Sequence, residues 1–397
     1  MADSGFHYVA GDNSEPLHSA QLDVVFVHGL AGHHKATWTH ECGTYWPHLL
    51  AKQFPNINVY SLDYDSSFLA NFLKGGGATL ADRATILMDQ LSSRRTPDKP
   101  LLFITHSLGG LIVKQALRKC SDSGNEKNKR VSKQTIGVFF IATPHHGAKL
   151  ATTISAIIKS VSKTVEELNY SAEPLIELAS WFSNWANTKK IKVESYYELE
   201  NTYSALIVDK VSANPNVLEC DPIAVQSDHI NITKLSDSEN QLYKSVSTKL
   251  KDILEEMSLS EVSQLQTEFQ TYTTSADKDR RTLAQKLTSA GRKYEIERAE
   301  RKKEEFSMLV NRNITQPSAV QKFTHIMSSI ETRFHRHVKS AISGGKASAE
   351  IDDLIQQKVL DPSVKAHSAN GQDVTDGLAE SAFYYLAGNC HIGWDNE

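Results

Sequence analysis

His106-Ser107-Leu108-Gly109-Gly110 sits between the apolar run Leu101-Leu102-Phe103-Ile104-Thr105 and the amphipathic run Leu111-Ile112-Val113-Lys114-Gln115-Ala116-Leu117. That order predicts a short buried strand, a tight turn and a helix. Such a turn lifts a serine hydroxyl clear of the sheet, and the helix aims its free N–H groups at the same point. Gly109 is small enough to let helix and strand approach closely. Thr105 holds the first place of the usual G-x-S-x-G pattern, so the match is a variant. Ser107 is the candidate nucleophile.

Apolar strands alternate with helical patterns on either side of this stretch, the signature of a mostly parallel sheet with helices on both faces. Strands are expected at 22–27, ending in the His28-Gly29-Leu30-Ala31-Gly32 loop, and at 58–62, 136–142 and 191–199. Helical spacing covers 46–54 and 78–91. Residues 121–130 have no apolar anchor and read as a solvated loop. Between the last two strands, Ile154, Ile157, Val161, Val165 and Leu168 form one stripe, and Leu175, Leu178, Phe182 and Trp185 another. They pack on the sheet or, as a cap at 148–190, overhang its catalytic edge. Ser236-x-x-Glu239 offers a capping box for a closing helix lined by Tyr243, Val246, Leu250, Ile253 and Met257.

The chain has 397 residues and a formal charge of -4, so nothing global points to nucleic acid or an anionic membrane. Cys42, Cys120, Cys220 and Cys390 are dispersed, without a C-x-x-C pair. Neither a zinc site nor a disulfide framework is expected, and a reducing, cytoplasmic setting fits. Residues 1–20 lack an apolar signal region, and no segment approaches the ~18 apolar residues of a membrane span.

A serine hydroxyl needs an imidazole to take its proton and a carboxylate to orient that imidazole. In doubly wound hydrolases the order is Ser, acid, His. His229 lies just before the closing helix and fits that order. His145 and His146 come too early, and His325, His335, His337 and His391 fall in a later helical region. The acid should follow the 191–199 strand, which leaves Glu198, Glu200 and Asp209. Aspartate is the commoner choice, but Lys210 beside Asp209 suggests a solvated pair. The oxyanion donors are the backbone N–H groups of Leu108 and Leu30, with Gly29 and Gly32 permitting the loop's path. His28 reads as a buried hydrogen-bonding residue rather than a base. No metal or cofactor is required.

Val27-His28-Gly29-Leu30, the run from His106 to Leu117, Ala142-Thr143-Pro144-His145-His146-Gly147, Tyr197-Glu198, the run from Val208 to Ala213, and Asp228-His229 together resemble one branch of the α/β-hydrolases. It is the serine-active-site-containing group, related to the GPI inositol deacylases and the DUF676-like lipases. The resemblance covers roughly residues 20–257 and implies Ser107 as nucleophile and His229 as base. It also implies Glu198 as the acid, with Asp209 the alternative. His146 departs from the arginine usual after T-P-H. The implied activity is hydrolysis of a carboxylic ester, with a lipid or other ester as substrate.

After residue 258 the pattern changes. Residues 258–315 are rich in Gln, Glu, Lys and Arg and read as a charged helical linker. Val320, Phe323, Met327, Ile330, Phe334, Val338 and Ile342 then mark an amphipathic helix ended by Gly344-Gly345, with shorter helical patterns at 351–360 and 377–386. The expected organisation is a hydrolase domain at 1–257, the linker, and an all-α interaction module at 316–397. The run from Phe383 to Ile392 resembles the C-terminal modules of bacterial ABC three-component systems. Those modules tether effectors to defence complexes, which implies docking of a protein partner or self-association. The alternative to an active enzyme is an assembly or signalling subunit whose hydrolase domain is restrained or silent. The triglycine Gly75-Gly76-Gly77, beside an apolar run, is a candidate gate.

Overall fold

Seven strands form one sheet in the order β1-β3-β2-β4-β5-β6-β7: β1 (Phe6–Tyr8), β2 (Leu22–Val27), β3 (Ile57–Leu62), β4 (Leu101–His106), β5 (Thr135–Ile141), β6 (Lys192–Glu198) and β7 (Ile223–Val225). The computed structural model describes residues 5–11, 15–64, 80–94, 99–145, 173–202, 206–273, 281–313, 316–369 and 374–394. Only β1 is antiparallel; it pairs with β3 at the sheet edge. The other neighbours run parallel, with Val27 opposite Thr105 and His106 opposite Ile141. Every residue of β2, β3 and β4 is buried, as expected where helices cover both faces. Phe103 and Ile104 point to opposite faces and both are fully buried. Each such side chain contributes about 1.5–3 kcal/mol by leaving water.

The helices of this unit are α1 (Trp46–Gln53), α2 (Leu80–Arg94), α3 (Gly109–Asp122), α4 (Glu126–Gln134) and α5 (Glu173–Lys189), followed by α6 (Gln241–Thr273). Sheet order and alternation together define an α/β-hydrolase fold. The described residues fall into two compact units, Met1–Leu254 and Glu255–Glu397.

Two local expectations change, and one of two open readings gains support. The stretch 121–130 is not a loop: α4 starts at Glu126, and the Asn125 side chain accepts the Lys127 N–H at 2.9 Å. Its apolar anchor, Val131, lies one residue beyond the stretch judged solvated. The proposed capping box at Ser236 is also not used. Ser236 Oγ donates to Asp237, Asp237 takes the Glu239 N–H, and Asn240 Oδ1 caps α6 through the Leu242 N–H at 2.9 Å. Within the candidate cap, α5 buries Leu175, Leu178, Phe182 and Trp185 in the main core, so it packs on the sheet. His146, the first stripe from Ile154 to Leu168, and the triglycine lie outside the described residues.

The second unit is helical: α7 (Leu283–Ser289), α8 (Ile296–Asn313), α9 (Pro317–His337), α10 (Lys339–Ser343), α11 (Ser348–Leu354), a π-helical turn (Ile355–Leu360), α12 (Asp361–Ala369) and α13 (Asp376–Gly388). Residues 258–315, expected as a linker, supply Phe269, Leu283, Leu287, Ala299, Phe306 and Val310 to its core. Phe306 packs 5.4 Å from Phe323 and 5.2 Å from Tyr385, between ring centroids. The charged composition hides a narrow apolar stripe, and one narrow stripe is enough to seat a helix. A legible signal was the Thr282–Gln285 capping box, in which each side chain meets the other residue's backbone N–H.

Candidate active site

Ser107 follows the last residue of β4 and precedes α3 by one position. Its φ is +52°, a left-handed conformation that costs a non-glycine residue about 1–3 kcal/mol and persists only where the surroundings enforce it. They do so through hydrogen bonds on both sides. The Ser107 N–H donates to Ile141 O at 2.9 Å, and its carbonyl accepts from Thr143 Oγ1 at 2.9 Å. The side chain is therefore fixed against the carboxyl ends of β4 and β5.

Ser107 Oγ lies 2.9 Å from His229 Nε2. The other nitrogen of that ring, Nδ1, is 3.3 Å from Glu198 Oε1. Glu198 is fully buried at the end of β6, and the same oxygen accepts the Val208 N–H. The contact is an ion-pair approach, without an aligned hydrogen bond at Nδ1. Asp209, the other candidate acid, is exposed and caps a turn through the Ser212 N–H at 2.7 Å. Glu200 is exposed and bonds Gln226. Burial separates the candidates, and burial was not readable from the sequence.

His106 was not singled out as a site residue, yet it holds His229 in place. Its ring is buried, with Nε2 2.9 Å from the His229 carbonyl. Burial, reinforced by the His229 ring, pushes its pKa down to about 3. It is therefore a neutral donor near neutral pH, and the residue before the nucleophile anchors the histidine loop. On the other side, the His229 N–H donates to Thr202 Oγ1 at 2.9 Å.

The amides of Leu30 and Leu108 donate to no protein acceptor among the described residues, as an oxyanion site requires. The loop after β2 turns through Ala31 at φ +52°. A Cβ on Gly29 would stand 2.8 Å from Ser107 Cβ and 3.4 Å from its Oγ, so only glycine leaves the Ser107 hydroxyl accessible there. His28 is fully buried, stacks on Tyr64 at 4.2 Å, and has Nδ1 2.9 Å from Gly29 O. Across the turn, Lys114 Nζ donates to His145 Nδ1 at 2.6 Å. Burial lowers the Lys114 pKa to about 7.

Asp63 lies 3.7 Å from His28 Nε2 and 3.2 Å from His34 Nδ1. The His28 hydrogen bond, with His34, holds its carboxyl well below the usual range despite burial. His7, His34 and Asp63 are the described residues with metal-ligand chemistry, their donor atoms lying within 4.8 Å of one another. The His7 and His34 rings, however, stack at 4.0 Å and 16°. A shared metal needs both in-plane lone pairs to meet at one point, which near-parallel stacked rings disfavour.

A cleft of about 220 Å³ opens on Ser107 and His229, walled by Leu30, Ala36, Thr37 and Ile230. Fold and cleft together define the α/β-hydrolase class. Within it, residues 19–175 match the family described as "Putative serine esterase (DUF676)", in agreement with the resemblance carried by the motifs. Residues 282–394 match C-terminal domain 9 of the ABC-three component (ABC-3C) systems.

Protein SERAC1 of Danio rerio is 29% identical over 266 residues, covering 59% of this chain and 39% of that protein. Its Mus musculus counterpart is 29% identical over 259 residues, covering 58% and 38%. The chain thus spans about two fifths of the length of these curated relatives. An esterase structure from Pyrococcus furiosus has a TM-score of 0.36 and 18% identity, covering 59% of this chain and 83% of that one. Among the described residues, no helix is long and apolar enough to cross a membrane.

Proposed function

We propose that the first unit is a serine esterase that cleaves a carboxylic ester through an acyl-enzyme. The observation that carries this reading is Ser107 Oγ on its strained turn, 2.9 Å from His229 Nε2. Ser107 Oγ attacks the ester carbonyl as His229 Nε2 takes its proton, while Glu198 stabilises the imidazolium. The carbonyl oxygen becomes an oxyanion facing the Leu30 and Leu108 amides, each worth ~10²–10³ in turnover at such a site. The intermediate collapses, and the leaving alkoxide receives the proton from His229. Water, deprotonated by the same histidine, then releases the acid and restores Ser107.

A fluorophosphonate probe tests this directly. The wild-type chain should label and Ser107→Ala should not; labelling that persists in Ser107→Ala places the nucleophile elsewhere. The match of residues 282–394 to an ABC-3C module supports a role as a defence effector docked through its helical unit. Co-purification with an ATPase encoded beside it would test that role. The four free cysteines support a reducing, cytoplasmic setting.

A further inference from the structure

The catalytic cleft holds a charge that the esterase chemistry does not use. Lys234 is half-buried in its wall, beside Ser107, His106 and His229. Among the described residues it has no ion pair, and its nearby carboxylates are engaged elsewhere. Asp228 accepts from the Ile230 and Asn231 N–H groups and from Asn231 Nδ2. Asp237 takes Ser236 and the Glu239 N–H, and Glu239 pairs with Lys244 at 2.6 Å. Glu41 lines the adjoining recess of about 440 Å³ together with Lys234 without pairing to it. Among the described residues, no carboxylate lines the catalytic cleft itself.

A second donor faces the same space. His33, also in the cleft wall, has its Nδ1 committed as acceptor to the Lys35 and Ala36 N–H groups, at 3.1 and 3.4 Å. With Nδ1 accepting, the ring's donor is Nε2. Lys234 is positioned at the end of the short helical turn Asn231–Thr233, directly after the catalytic histidine's loop. Its N–H donates to Asn231 O at 2.8 Å. The ammonium is near enough to His106 to add to the repulsion that keeps that ring neutral.

We infer that Lys234, assisted by His33, recognises an anionic group on the substrate, so that the favoured esters carry a carboxylate or phosphate close to the scissile bond. This rests on the esterase reading for the cleavage step but not for binding. A charge-assisted hydrogen bond in a partly desolvated cleft amounts to roughly tenfold in specificity.

The test compares p-nitrophenyl hemisuccinate with its methyl ester, which has the same acyl chain without the charge. Wild type should favour the hemisuccinate in kcat/KM about tenfold, and 0.5 M salt should shrink that ratio, as expected for a charge still in part open to solvent. Lys234→Met should bring the ratio near one, and Lys234→Glu should invert it. Calorimetric binding of the hemisuccinate to Ser107→Ala, with and without Lys234→Met, reads the same charge without turnover. Release of fatty acid from phosphatidic acid as against phosphatidylcholine vesicles separates a lipid phosphate from a soluble carboxylate as the natural anion.

Equal kcat/KM for the two soluble esters, or a preference and affinity that survive Lys234→Met, overturns the inference. Loss of all Ser107-dependent turnover while Lys234-dependent binding persists would instead remove the esterase reading and keep the anion site.

Discussion

Replacing Gly109 with alanine tests how tightly the nucleophile turn is built. A Cβ there would stand 2.3 Å from His28 O and 2.7 Å from Val27 O. Ordinary van der Waals contact begins near 3.4 Å, so the helix start must retreat by about 1 Å. Neither carbonyl is free to yield: Val27 ends β2, which is paired on both sides, to β3 and to β4, and His28 O accepts the Tyr64 hydroxyl. The movement therefore falls on α3, whose first turn carries the Leu108 amide and follows Ser107 directly. Overpacking of this kind costs about 1–3 kcal/mol in stability. A 1 Å misplacement at a reacting centre costs about 10² in rate. Guanidinium unfolding and turnover of p-nitrophenyl butyrate measure the two effects separately. A Gly109→Ala protein with wild-type midpoint and kcat would refute the account of the turn.

Two further outcomes follow from the same geometry. Glu198→Gln should lower kcat by about 10³ or more, since an amide cannot stabilise the imidazolium, whereas Asp209→Asn should cost about 1 kcal/mol of stability through its turn and leave kcat within a few-fold. Reversal of that order in steady-state assays would make Asp209 the acid. Lys114 has a folded pKa of about 7 against an ordinary 10.5, so between those values the unfolded chain binds the additional proton and stability rises with pH. The stability difference between wild type and Lys114→Met should therefore change between pH 7 and 8.5, in denaturant titrations, in favour of wild type at the higher pH; a difference independent of pH would count against a buried, depressed lysine.

The strands β2, β4 and β5 were legible because Val24–Val27, Leu101–Ile104 and Val138–Ile141 are continuous apolar runs, the pattern a parallel sheet buried on both faces demands. β1 and β7 were not, since three residues such as Phe6–Tyr8 are too short to show a period. Ser107, His229 and the two oxyanion positions could be nominated from chain order and turn chemistry. The acid could not, because Glu198 and Asp209 differ in burial, which the sheet decides. His106 was missed for a related reason: its partner is a backbone carbonyl 123 positions away. In the second unit the charged surface of α8 concealed Ala299, Phe306 and Val310, whose stripe is real but narrow.

One consequence of the His106 contact concerns how the site tolerates motion. Neighbouring residues of a single chain segment carry the Ser107 hydroxyl and grip the backbone carbonyl of His229, whose imidazole meets that hydroxyl. Any drift of that segment carries both reactants along, so their separation is insulated from distortion elsewhere in the sheet. The carboxylate rides on a different strand and has no such tether. Damage or regulation arriving from outside should therefore be felt first as a misaligned acid, lowering the rate while leaving the serine open to covalent inhibitors.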